Sequence, residues 1–259
     1  MKYITSKDNH TYKEIKKILN SSSYRKKTGL TIAIGKRIVE DIITSNKAEL
    51  VKYVVLTDEE GAKLYQDFNL IILSPKLAKY LDDVFYDQGI LAVIRQQYIS
   101  KDEIPINGSF LILDNVSDPT NVGTLIRTAV GLDYQAVLVS DGTADPLSPK
   151  VIRTSSGYSL FIPIFKGKNK EIMRIMSDRA IKIITTYITH KKCHTTFVTK
   201  LNNFALCLGN EGSGLSEIWK DYPDTINLTL KSKTIDSFNV SVAGSILMYL
   251  LKMGGELCG

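Results

Sequence analysis

Short apolar runs alternate with segments that are apolar at helical spacing along almost the whole chain, and this alternation constrains the fold more than any other feature. Strands covered on both faces read as continuous apolar runs, and the helices between them supply the cover, so the pattern predicts α/β layering. In the first part it predicts helix Thr11–Leu19, strand Leu30–Ile34, helix Arg37–Ser45, strand Val51–Leu56, helix Glu59–Phe68, strand Leu70–Leu73, helix Pro75–Leu81 and strand Ile90–Ile94. Further on it predicts strands Ser109–Leu113, Ala136–Val139, Ser159–Pro163, Ile181–Thr186, Phe204–Leu208 and Thr225–Leu228. The helices expected there are Thr124–Leu132, Lys168–Ser177, Leu215–Trp219 and about Val240–Lys252. The polar stretch 98–108, with Pro105 and Gly108, reads as a linker between a domain at 1–97 and a larger one at 109–259.

At 259 residues the chain exceeds the usual single-domain size, in keeping with that division. Its N-terminus is too charged for a signal peptide, and the longest apolar stretch, Val240–Leu251, is too short to span a bilayer. Three cysteines (Cys193, Cys207, Cys258) form no paired framework, so a reduced, cytoplasmic protein without membrane contact is expected. His190, Cys193 and His194 lie close together but lack the further ligands a zinc site needs, and no metal is expected.

The net charge of +6 is unevenly placed. Residues 1–37 hold ten Lys and Arg against Asp8 and Glu14, and the remainder carries a slight negative excess. The densest part is "SSSYRKKTG" (Ser21–Gly29), which reads as a flexible basic loop. Clustered cations suit a phosphate backbone, because each neutralised phosphate releases a counterion. Arg25, Lys26, Lys27, Lys36 and Arg37 are the candidate RNA contacts, and a solvated helix face with a loose loop is the alternative.

Ligands in parallel α/β sheets sit at the carboxyl ends of strands, and three such ends here run into polar or glycine-rich loops. The first is "LDNVSDPTNVGTLIRTAV" (Leu113–Val130), the second "LCLGNEGSGLS" (Leu206–Ser216), the third "NLTLKSKTIDSFNVSVAGSILMYLL" (Asn227–Leu251). Gly209, Gly212 and Gly214 match neither the dinucleotide fingerprint nor a P-loop, so a sharp turn and a close approach to a ligand both stay open. Thr120, Asn121, Ser237 and Asn239 are good helix caps. Arg127 stands among Leu125, Ile126, Ala129 and Val130, which predicts a buried guanidinium in need of an acceptor. Glu211 or a ligand phosphate could provide it.

Taken together and in order, these three stretches resemble the signature motifs of the SpoU (TrmH-type) RNA ribose 2′-O-methyltransferases. "IRTSSGYSLFIPIF" (Ile152–Phe165) resembles that family's central segment, and "ITSKDNHTYKEIKKIL" with "GKRIVEDII" resembles the substrate-binding domain of many members. The resemblance implies a parallel-sheet α/β domain with a deep C-terminal trefoil knot, preceded by a small α/β RNA-binding domain. It also implies S-adenosylmethionine as cofactor and a homodimer. Asn121, Arg127, Glu211, Ser237 and Asn239 match its catalytic positions. Backbone at Leu208, Gly209, Asn210, Gly214, Thr229, Leu230 and Phe238 would line the cofactor pocket. Thr229-Leu230 replaces the family's usual Ile-Pro, and Phe238 its Leu, changes that backbone recognition tolerates.

A guanidinium stays protonated at neutral pH, so Arg127 is expected to grip phosphate and polarise the neighbouring hydroxyl rather than to abstract a proton. The implied partner is structured RNA, ribosomal (23S) before transfer RNA, and not DNA. A non-catalytic RNA-binding protein of the same fold is the rival from another class.

Overall fold

The computed structural model describes residues 1–189, 196–198, 201–220, 225–229 and 238–257. Two compact units emerge, Met1–Gln97 with Leu147–Arg153, and Tyr98–Pro146 with Thr154–Gly259. The sequence reading places Leu147–Arg153 in the second domain, but the segment belongs with the first, where the Thr31 hydroxyl donates to the Leu147 carbonyl at 2.5 Å. The expected linker is also built into a unit, the second. Its Lys101–Glu103 turn is closed by a Ser100/Glu103 capping box, and the Arg179 guanidinium donates to the Lys101 and Pro105 carbonyls at 2.8 and 3.0 Å.

In the first unit, β1 (Lys2–Ile4), α1 (His10–Asn20), α2 (Ser22–Thr28), β2 (Leu30–Ile34), α3 (Lys36–Ile43), β3 (Val51–Leu56), β4 (Leu70–Leu73), α4 (Pro75–Leu81), α5 (Asp83–Gln88) and β5 (Ile90–Arg95) follow in order. They form a mixed sheet in the order β1-β4-β3-β5-β2. Ile15, Ile18, Ile32, Val55, Leu73, Phe85 and Leu91 close its core. "SSSYRKKTG" is a helix rather than a loop. Ser21 caps α2 through its side chain, and Gly29, at φ 63°, ends it. The expected helix Glu59–Phe68 shrinks to a 3₁₀ segment, Gly61–Tyr65, since Gly61, the poorest helix former but proline, falls in its expected first turn.

The second unit carries β6 (Ser109–Leu113), α6 (Pro119–Gly131) and β7 (Ala136–Val139). Next come α7 (Pro149–Thr154), whose residues through Arg153 group with the first unit, then β8 (Ile164–Lys166), α8 (Asn169–Asp178), β9 (Lys182–Thr189) and β10 (Thr196–Val198). β11 (Phe204–Leu208), α9 (Glu217–Lys220), β12 (Thr225–Thr229), α10 (Val240–Met253) and β13 (Gly255–Leu257) complete it. Six strands lie parallel in the order β12-β9-β11-β6-β7-β8, and β10 pairs with β13 separately. The expected strand Ser159–Pro163 is instead a 3₁₀ turn, Tyr158–Leu160, and the strand starts after Pro163. Pro163 has no N–H for the ladder and contributes only its carbonyl, to Val137.

The chain builds β6, β7 and β8 toward one edge, crosses to β9, and then inserts β11 between β9 and β6. Leu208 of β11 is in register with Leu113 of β6, so the first two loops leave the sheet side by side. α10 packs closely on both loops' supports. A Cβ on Gly244 would strike Leu208 and Leu125, and the Ser245 and Thr128 hydroxyls are 3.0 Å apart. Among the described residues, no helix is long and apolar enough to cross a membrane.

Candidate functional site

Asp118 caps α6, its carboxylate accepting from the Thr120 N–H at 2.7 Å with Pro119 in the first turn. Asn121 is therefore released from capping. It lies 7% exposed, and its Nδ2 donates to Glu211 Oε1 at 2.8 Å. Its Oδ1 accepts from Asn239 Nδ2 at 3.1 Å. Asn239 keeps the expected capping role as well, since its Oδ1 accepts from the Ser241 N–H at 2.9 Å. One continuous hydrogen-bonded line, Glu211–Asn121–Asn239, thus joins the first loop to two segments 90 and 118 residues further along the chain, at the carboxyl end of the sheet.

The glycine-rich loop is shaped by Asn210. Its Oδ1 accepts from the Gly212 and Ser213 N–H groups at 2.9 and 3.0 Å, and its Nδ2 donates to the Asn115 carbonyl at 2.9 Å and to Glu211 Oε2 at 3.3 Å. The Asn210 and Gly214 backbones pair with each other, closing the loop on itself. Gly209 is required for that closure. A Cβ there would lie 2.5 Å from both Gly214 C and Leu215 N. At Gly212 the nearest atom to such a Cβ is 3.6 Å away. Gly209→Ala should cost about 1–3 kcal/mol through overpacking, and Gly212→Ala less than about 0.5 kcal/mol. Urea denaturation of the pair checks this, and equal losses would contradict the reading.

The structure corrects the placement of Arg127. Val122, Leu125, Ile126 and Ala129 fill the buried face of α6, while Thr120, Arg127 and Gly131 occupy the exposed one. The guanidinium is exposed and has neither ion pair nor hydrogen bond among the described residues. Glu211 is engaged with the Asn121 and Asn210 amides instead. Exposed to solvent, the guanidinium needs no acceptor within the protein, so the demand drawn from its expected burial falls away. Of the other expected residues, Leu208 and Gly209 are buried at the end of β11, Gly214 has φ 72°, Thr229 ends β12 and Phe238 is half-buried ahead of α10. Leu230 and Ser237, like His190, Cys193, His194 and Cys258, lie outside the described residues.

Asp114 anchors the site, a role the sequence reading does not assign to it. Fully buried at the end of β6, its Oδ2 accepts from the Ser216 N–H at 2.6 Å. Its Oδ1 accepts from Asn169 Nδ2 at 2.7 Å, Ser216 Oγ at 2.9 Å and Ser140 Oγ at 3.3 Å. One carboxylate thus holds the exit of the second loop to β6, β7 and the start of α8. The only local signal is an acid directly after an apolar strand. Asn169 gives none. Burial, and then the Asp114 charge, push the neighbouring Cys207 thiol well up, so it stays protonated and unreactive.

In the first unit Arg25 is buried, and its Nη1 donates to the Ile18 and Leu19 carbonyls at 3.0 and 3.2 Å. It closes α1 and is withdrawn from the candidate RNA contacts. Lys26, Lys27, Lys36 and Arg37 remain exposed. Tyr24 is half-buried against the core.

Residues 108–249, more than half the chain, match the model of the SpoU rRNA Methylase family. The chain is 28% identical over 254 residues, 97% of its own length and 100% of the other's, to a Bacillus subtilis protein named 23S rRNA (guanosine(2553)-2′-O)-methyltransferase RlmP. It is 30% identical over 185 residues, 67% of its length and 73% of the other's, to the 23S rRNA (guanosine-2′-O-)-methyltransferase RlmB of Pectobacterium atrosepticum. Its fold is similar to that of an AdoMet-bound rRNA methyltransferase from Sinorhizobium meliloti, with a TM-score of 0.79, 21% identity and 95% of both chains covered.

Proposed function

The chain belongs to the SpoU rRNA methylase family, and from that premise we propose that it transfers a methyl group from S-adenosylmethionine to a ribose 2′-hydroxyl of 23S ribosomal RNA. The observation that carries this reading is the Glu211–Asn121–Asn239 line, which gathers the three loops at the start of the helix that carries the exposed Arg127. Full-length similarity to a relative named for 23S rRNA favours that substrate over transfer RNA. Retention of Asn121, Glu211 and Asn239 in one hydrogen-bonded set, with Arg127 further along the same helix as Asn121, speaks against a binding-only protein.

The residues suit the cofactor. Gly212, Ser213 and Gly214 leave loop backbone uncovered, and the exposed Glu211 carboxylate offers negative charge to a cationic ligand. When bound, S-adenosylmethionine supplies a methyl on a sulfonium, a strong electrophile. Leu208, Gly209 and Asn210, with Gly214, Thr229, Leu230 and Phe238, would hold it. Arg127 grips the phosphate beside the target ribose and lowers the cost of charge on the 2′-oxygen. Asn121, fixed by Glu211 and Asn239, orients the ribose, with Ser237 completing that set. The 2′-hydroxyl proton leaves to phosphate or water.

The trefoil knot belongs to this reading, supported by the insertion of β11 between β9 and β6. So does a homodimer. Val242, Ile246, Tyr249 and Met253 are exposed at spacings of four, three and four along α10, an apolar stripe of the kind a second copy covers. Acting on ribosomal RNA, the protein would work in the cytoplasm.

The test is titration of the purified protein with S-adenosylmethionine against ATP, followed by mass spectrometry of ribosomal and transfer RNA from cells with and without the gene. We expect binding of S-adenosylmethionine alone and loss of one 2′-O-methylated nucleotide from 23S rRNA. A loss confined to transfer RNA would move the substrate. No affinity for S-adenosylmethionine would end the proposal.

A further inference from the structure

Lys13, Lys16 and Lys17 form the exposed stripe of α1, opposite buried Tyr12, Ile15 and Ile18. α2 is held against the end of α1 by the Arg25 bonds to the Ile18 and Leu19 carbonyls, and its Lys26 and Lys27 point outward. The Lys17 ammonium stands 5.6 Å from the Tyr24 ring, so α1 and α2 adjoin on the side that Lys17 occupies. Lys13 is paired with Asp8 at 2.8 Å. Lys16, Lys17, Lys26 and Lys27 have no ion pair among the described residues. The one acid on these helices, Glu14, has its side chain only 15% exposed and engaged by Lys52 at 3.0 Å and the Tyr53 hydroxyl at 3.2 Å. Lys36 and Arg37, by contrast, have carboxylates one turn away, Glu40 at 3.9 Å and Asp41 at 3.8 Å.

Four ammonium groups without ion pairs on two adjoining helices repel each other, and a fold gains nothing from assembling them. A partner carrying regularly spaced negative charge does gain. The surface also lacks an exposed aromatic, since Tyr12 is buried and Tyr24 half-buried. Proteins that grip single strands stack bases on aromatic rings, whereas double-helical RNA is held chiefly through phosphates and ribose hydroxyls.

We propose that the α1–α2 face, through Lys16, Lys17, Lys26 and Lys27, is a docking surface for the phosphates of double-helical RNA. This rests on the RNA-directed function proposed above and places the grip on the helical part of that RNA. The arrangement is preorganised, because Arg25 fixes α2 before any RNA arrives.

The experiment compares the full chain with a variant carrying Lys16→Gln, Lys17→Gln, Lys26→Gln and Lys27→Gln. Binding to an RNA hairpin with a stem of roughly 16 base pairs, and to poly(U), is followed by fluorescence anisotropy across a salt series. Loss of four phosphate contacts should lower the slope of log affinity against log salt by about 3 to 4. Affinity for the hairpin at low salt should fall at least tenfold, roughly 1.4 kcal/mol. A control with Lys63→Gln, Lys76→Gln and Lys79→Gln, exposed positions elsewhere in the same unit, should lose less than threefold. An unchanged slope, an equal loss in the control, or a parent chain that fails to bind the hairpin would overturn the proposal. Equal loss toward poly(U) would overturn its double-helical part. S-adenosylmethionine titration in parallel separates the two readings. A chain that binds RNA through this face but not the cofactor keeps the surface and loses the enzyme.

Discussion

Arg127→Lys should lower methyl transfer at saturating S-adenosylmethionine by about 100-fold or more, with cofactor affinity within about twofold of the parent. Lysine keeps the charge but not the planar fork that takes two phosphate oxygens at once. Arg127 is exposed and bonds nothing among the described residues, so the exchange removes no contact from the fold and stability should move by less than about 0.5 kcal/mol. Single-turnover methylation with cofactor and RNA in excess isolates the chemical step. Near-parent rates there would take Arg127 out of the chemistry and leave it as a surface charge.

The largest effect on stability is expected at Asp114. Alanine leaves the Ser216 N–H and Ser216 Oγ without their acceptor inside the protein, and Asn169 Nδ2 with only the long bond to Ser216 Oγ at 3.4 Å. Unsatisfied buried donors cost about 1–3 kcal/mol each, and partial entry of water brings the expected total to about 3–5 kcal/mol. In a chain of this size that is a fall of roughly 10 °C in the melting temperature of the second unit. Cofactor affinity should fall with it, because the loop bearing Gly209 and Gly214 loses its tether. Asp114→Asn should do less harm, keeping one acceptor oxygen while turning an amide toward donors. Calorimetry and cofactor titration check both variants, and an alanine variant melting within about 2 °C of the parent would contradict the anchoring role.

The strands of the second unit were readable because parallel strands covered on both faces are continuous apolar runs, and Ser109–Leu113, Ala136–Val139 and Phe204–Leu208 stand where periodicity puts them. α2 was not readable. It has no apolar period, and its support is a guanidinium bonded to carbonyls six and seven residues back. β1, three residues with two of them exposed, shows its character only by pairing with β4. Arg127 was read as buried from the company it keeps, although a helix turns 100° per residue and its neighbours face elsewhere. Asn121 and Asn239 were legible as polar groups at helix starts, yet cap and site residue look alike until Asp118 is seen to take the cap. Asp114 draws on partners 26, 55 and 102 residues away, and no local pattern encodes such distances.

The geometry of α10 carries a consequence for control. Its first turn begins at Asn239, which aligns Asn121. Its inner side is wedged by Gly244 between Leu208 and Leu125, and its outer side is the apolar stripe. A single rod thus links a sticky exterior to the reacting groups. Whatever seats on that exterior restrains the rod and steadies the asparagine pair, so in the proposed homodimer a subunit stripped of its neighbour would be expected to lose potency before it loses its shape.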